Sequence, residues 1–133
     1  MSSFCRSLVL ATTVALTSPV VQADDSAGST PDIEHGRATF NTMCSVCHSV
    51  KASGGPVEGP NLLGLVGRPA GSHPAFARYS EALKSSGIVW STEALDRFLT
   101  NPMAMVPGTL MPMLIPDDRT RANVVAYLET LKE

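Results

Sequence analysis

The sequence lacks a second pair of cysteines, has few aromatic residues, and contains no apolar run long enough to span a bilayer. Of its three cysteines, Cys5 stands alone near the start, while Cys44 and Cys47 lie close together. Neither a four-cysteine zinc site nor a disulfide framework can be assembled from that set. His35 and His73 are isolated in sequence, so a C-x-x-C half-site has no second ligand pair. Aromatic residues make up only 5% of the chain, and a domain this small buries a modest core of its own. Val/Ile-rich alternation is also missing, and with it the strand-helix-strand context of a thioredoxin-like redox pair. Ten basic residues against twelve acidic ones leave no positive excess for nucleic acid.

What is present centres on Cys44-Ser45-Val46-Cys47-His48. Two thiols three positions apart, followed at once by a histidine, form the signature of covalent c-type haem attachment. On one helical turn both sulfurs reach the same side of a porphyrin, and the adjacent imidazole is carried beneath its centre. Cys44 and Cys47 are therefore expected as thioethers and His48 as an axial iron ligand, with a disulfide or metal role as the alternative. A large flat cofactor would also supply the apolar area that the core otherwise lacks.

The chain begins with Arg6, an apolar run from Leu8 to Leu16, and Val21-Gln22-Ala23 before two acids. That order of charged, apolar and small-x-Ala segments predicts a secretory signal peptide over residues 1–23. The apolar run falls short of the ~20 residues that a membrane anchor needs. Processing would remove Cys5 and Arg6 and leave 110 residues, a single domain carrying about −3 net charge. In an oxidising compartment two free cysteines would tend to pair, and haem attachment consumes both. Residues 24–31 are small and polar and are expected to be a disordered lead-in to a domain spanning 32–133.

Asp32 is placed to cap an amphipathic helix whose Ile33, Gly36, Phe40 and Met43-Cys44 recur at helical spacing. Gly36 inside that pattern predicts a close backbone approach, and His35 lies off the stripe. A Gly/Pro-rich loop follows, then Gly59-Pro60-Asn61-Leu62. The Pro60 carbonyl could hold the ligating imidazole by its N–H. A short helix is expected from Tyr79 to Lys84, and a third from Ser91 to Thr100, stopped by Asn101-Pro102. The run from Met103 to Met113 carries four methionines. Core filling is the ordinary use of methionine, but a non-helical loop fixed by Pro107, Gly108 and Pro112 suits a thioether ligand held rigidly. Asp117 and Asp118 begin a last helix with Val124, Tyr127-Leu128 and Leu131 on one face.

The attachment motif, Gly59-Pro60-Asn61-Leu62, Gly64-Leu65, Gly67-Arg68, Trp90, Asn101-Pro102 and Pro107-Gly108-Thr109-Leu110-Met111 together closely resemble the class I cytochromes c of mitochondria and bacteria. The resemblance covers the chain from about Asp32 onward. It implies an all-α fold of about four short helices around one haem. It further implies that Pro60 orients His48, that Arg68, Tyr79 and Trp90 surround the haem propionates, and that Met111 is the sixth ligand, with Met113 as fallback. By the same resemblance the C-terminal helix crosses the N-terminal one at Gly36 and Phe40. Two departures stand out. Phe98 replaces a common tyrosine, and Met103-Ala104 replaces the lysines that ring the haem edge in the mitochondrial proteins.

Filled coordination by His48 and Met111 leaves no open iron position, so the expected function is electron carriage without enzymatic turnover. The expectation is a periplasmic monomer without a permanent membrane anchor, shuttling electrons from a dehydrogenase or quinol-oxidising complex to a terminal oxidase or reductase. The alternatives are an electron-accepting small subunit of a dehydrogenase, or a peroxidase-like or ligand-binding haem protein if Met111 is not a stable ligand.

Overall fold

The computed structural model describes residues 30–132. The expected signal peptide and most of the lead-in lie outside the described residues. Five helices follow in order: α1 Ile33–Thr39, α2 Glu81–Lys84, α3 Thr92–Thr100, α4 Pro102–Met105 and α5 Asp118–Thr130. A π-helical turn, Phe40–Cys44, continues α1. Among the described residues there is no strand, only an isolated antiparallel bridge between Pro69 and Val89. None of the described helices is long and apolar enough to cross a membrane.

Local chemistry explains where each helix starts. The Asp32 carboxylate accepts from the His35 amide at 2.9 Å, satisfying one of the orphan donors of the first turn. Ser80, Ser91 and Asp117 cap α2, α3 and α5 in the same way. Asn101 does more than end α3. Its extended backbone carries a side chain that accepts from the Ala104 amide at 3.0 Å, and Pro102 occupies the first helical position. A new turn of helix therefore begins where the sequence predicted only a stop. Met103 and Met105 lie on this turn, and the irregular loop starts after them.

The α1–α5 crossing forms one side of the core. A Cβ placed on Gly36 would lie 2.0 Å from the Asn123 carbonyl oxygen and 3.0 Å from the Tyr127 Cβ. Only glycine permits this approach, which brings Phe40 and Tyr127 ring centroids to 5.5 Å. The Asn123 side chain then accepts from the Asp32 amide at 2.8 Å, so α5 helps to cap α1. Leu95, Phe98 and Leu99 of α3 are buried beside Val124, Tyr127 and Leu128 of α5, as their spacing predicts. Leu131 is half-buried at the end of that face.

The long segment between the attachment motif and α2 is irregular, and polar side chains order it from within. Buried Asn61 donates to the carbonyls of Lys51 and Gly54 and accepts from the Leu63 amide. Its hydrogen-bonding capacity is thus largely met inside the loop. Backbone bonds from the Gly67 amide to the Trp90 carbonyl and from the Trp90 amide to the Arg68 carbonyl then pair this segment with the one that precedes α3.

Candidate functional site

A cavity of about 450 Å³ opens between the attachment segment, the 57–69 loop, α3, α5 and the methionine loop. That size lies within the usual range for a buried cofactor or ligand. All eight residues singled out from the sequence line it: Cys44, Cys47, His48, Pro60, Arg68, Tyr79, Trp90 and Met111.

The π turn delivers the first of them. The Ser45 amide reaches back to the Phe40 carbonyl at 2.9 Å, and the amides of Cys47 and His48 both bond the Cys44 carbonyl. One wide turn is a local departure of the kind that often marks a functional site. Cys44 is half-buried and Cys47 exposed, and neither is in a disulfide. Burial, aided by the nearby Cys47, pushes the Cys44 thiol up to about 11. It therefore stands as a neutral S–H at neutral pH.

His48 is held from two sides. Its Nδ1 lies 2.8 Å from the Pro60 carbonyl oxygen, a distance that assigns the ring proton to Nδ1 and leaves the Nε2 lone pair available to a metal. Burial lowers its pKa and the Pro60 carbonyl only partly offsets this, so the imidazole is neutral at physiological pH. Gly59 closes the other side, because a Cβ there would lie 2.4 Å from Cε1 of the ring. Sequence reasoning found Pro60 and missed Gly59, although a glycine just before that proline was the available signal.

At the polar end, Arg68 donates from Nη1 to the Leu63 carbonyl and from Nη2 to the Asn61 carbonyl. It braces its own loop as well as lining the cavity. Tyr79 is half-buried and packs edge-on to Phe76 at 4.9 Å. Burial raises its pKa, against the lowering effects of the His73 backbone and the Arg68 charge. Trp90 is buried and meets Phe98 edge-on at 5.0 Å. His35 is exposed and His73 lies in an irregular loop, and neither lines the cavity.

Met111 lines the cavity from the methionine loop, its amide directed at the Thr109 hydroxyl at 3.4 Å. A turn through Gly108, whose φ is +92°, precedes it. Met113 and Leu110 also line the cavity, and both are exposed. Among the described residues no cluster of three or more His, Cys, Asp or Glu could hold a bare metal ion. Two thiols, one imidazole, the thioethers of Met43, Met111 and Met113, and otherwise largely apolar walls instead fit a covalently attached haem.

Comparison with known proteins agrees. The cytochrome c family model matches residues 33–132. Cytochrome c2 of Rhodopila globiformis is 44% identical over 108 residues, covering 79% of this chain and all of that protein. Cytochrome c of Euglena viridis is 41% identical, covering 77% of this chain and 99% of its own. Among solved structures, cytochrome c2 from Rhodospirillum centenum superposes with a TM-score of 0.71 at 29% identity, covering 77% of this chain and 99% of its own. Cytochrome cH from Methylobacterium extorquens gives 0.66 at 37% identity, covering 74% and 98%. The cofactor of such proteins is covalent haem c and their chemistry is electron transfer. By motif, fold and relatives, the chain belongs to the cytochrome c family, with the class I fold.

Proposed function

We propose that the chain is exported, processed after Ala23, and works as a periplasmic one-electron carrier whose iron is ligated by His48 and Met111. The observation that carries this reading is the convergence of a neutral imidazole and a thioether on one largely apolar cavity. When bound, the haem supplies a one-electron couple. His48 and Met111 would hold the iron, and the largely apolar walls would exclude water. Pro60 and Gly59 fix the His48 ring, and the turn at Gly108 sets the approach of Met111. Arg68, Tyr79 and Trp90 line the cavity and would supply donors for the haem propionates, whose charge would otherwise be uncompensated. The test is a reversible redox titration of the matured protein, followed by exposure of the reduced form to carbon monoxide. A single one-electron wave with no rapid carbon monoxide binding is expected. Immediate binding would mean an open iron position and would favour the peroxidase-like or ligand-binding alternative.

Donor and acceptor are proposed as a dehydrogenase or quinol-oxidising complex and a terminal oxidase or reductase. The cavity rim suggests how they dock. Leu110 is 73% exposed and Met113 40%, while the charged pair at the rim, Arg78 with Glu58, is internally compensated at 3.3 Å. Among the described residues no lysine lines the cavity. Docking through such a surface relies on apolar contact and gains little from long-range steering. The bimolecular rate with the physiological partner is therefore expected to fall by less than about threefold between low and physiological ionic strength. A steep loss of rate with added salt would count against an apolar docking face. The exposed side chains of Met103, Leu110, Met113 and Leu114 also support the alternative of a tightly held subunit of a dehydrogenase. Co-purification that survives high salt would favour it.

A further inference from the structure

The sequence marked residues that reach the cavity, but among the described residues one buried charge lies outside its lining. Arg121 of α5 is only 7% exposed, and its guanidinium makes four donor contacts. Its Nε donates to Asp96 of α3 at 2.7 Å and its Nη2 to Asp118 at 2.8 Å. Its Nη1 donates to the carbonyl oxygens of Ile115 at 3.0 Å and Pro116 at 3.3 Å. The Ile115 amide is held separately, by the Leu99 carbonyl at 2.7 Å. The peptide groups around Ile115 are thus tied to both α3 and α5, and the Ile115 side chain is 2% exposed.

This anchor sits four residues after Met111. Upstream, the loop is fixed by the bond from the Thr109 amide to the Val106 carbonyl and by the Thr109 hydroxyl. Downstream, the Ile115–Pro116 bracket constrains it. Four residues can reach at most ~13–14 Å when fully extended, so moving the bracket changes directly where the Met111 sulfur can go. A lysine could not replace this arrangement. An ammonium is a point charge, whereas the planar guanidinium serves two carbonyls and two carboxylates in fixed directions.

We propose that Arg121 is a positioning residue for Met111: it holds the downstream end of the methionine loop against α3 and α5, and so keeps the thioether directed into the cavity. The inference rests on the reading of Met111 as an iron ligand. Its test uses the ferric holoprotein, the near-infrared band of sulfur bound to ferric haem, and imidazole as the competing ligand. Arg121→Lys is expected to lower the imidazole concentration that removes half of the band by about tenfold, while far-UV circular dichroism stays native. Asp96→Asn, which removes the charge from one leg of the bracket and retains the guanidinium, is expected to shift it about threefold in the same direction. Val125→Ala provides the comparison for general destabilisation, since Val125 is buried in α5 but does not line the cavity. It should lower the unfolding midpoint without moving the imidazole midpoint.

The inference is overturned if the imidazole midpoints of the Arg121 and Asp96 variants stay within a factor of two of wild type, or if Val125→Ala shifts its midpoint equally. Should Arg121→Lys fail to fold, Asp96→Asn alone decides. A wild-type protein without the near-infrared band would instead remove the Met111 reading itself, so the two failures are distinguishable.

Discussion

Met111→Ala is expected to abolish the near-infrared sulfur band of the ferric protein, open the iron to carbon monoxide in the ferrous form, and lower the reduction potential on the order of a hundred millivolts or more. A thioether favours the reduced iron, so its loss shifts the couple downward. The size follows from removing a whole axial ligand, against the ≈ 0.8 V over which axial ligands set haem potentials. Two other methionines line the cavity, but Met43 belongs to the π turn that carries Cys44, and only Met113 shares the loop of Met111. Phe98 packs edge-on to Trp90 in the cavity wall and brings no polar atom to the site. Met113 lines the cavity but is 40% exposed, whereas Met111 is half-buried with its amide directed at Thr109. Met113→Ala should therefore keep the band and the potential close to wild type. If the band survives in Met111→Ala and disappears in Met113→Ala, the sixth ligand is Met113 and the loop has been read two residues out of register.

The site was legible in the sequence because its chemistry is local. The two thiols and His48 lie within five residues, and covalent attachment admits few other spacings. Resemblance extended the reading to Pro60, Arg68, Tyr79, Trp90 and Met111, and the fold brings all of them to one cavity. Other features escaped because they depend on what a residue meets. The π turn at Phe40–Cys44 leaves no distinct pattern in residue type, since the same apolar spacing serves an α-helix. Asn101-Pro102 is both a stop and a start, and the start was missed although a cap followed by proline is its ordinary signal. Arg121 reads as a surface residue on α5, because charged residues are almost never buried unless paired, and its partners come from two other segments. Gly36 lies between these cases. Its place in a helical stripe predicted a close neighbour, while the identity of that neighbour came from the resemblance.

That contact carries the second large effect. Gly36→Ala should destabilise the holoprotein by about 3 kcal/mol or more, and lower its thermal midpoint by roughly 12–24 °C for a domain of this size. Two effects compete at this position. Alanine favours the helix by ~1 kcal/mol over glycine, which would stabilise α1 if the site were open. It is not open: the added Cβ would lie 2.0 Å from the Asn123 carbonyl oxygen and 2.5 Å from its carbon, both backbone atoms that no rotamer change can move. Relief requires α1 and α5 to separate. Separation loosens the Phe40–Tyr127 packing and the bond from the Asp32 amide to Asn123. The clash therefore outweighs propensity. Gly55→Ala is the fitting comparison, since a Cβ there meets nothing within 4 Å, and its midpoint should move little. Thermal unfolding followed by far-UV circular dichroism decides: a Gly36→Ala midpoint equal to or above wild type would mean that the crossing is looser than its geometry shows. The near-infrared band adds a second reading. In Gly36→Ala the band and the helical signal should fall together on heating, because Val124 and Leu128 of the same α5 line the cavity. In Arg121→Lys the band should be lost first, with the helices still formed, which separates a weakened fold from a loosened ligand.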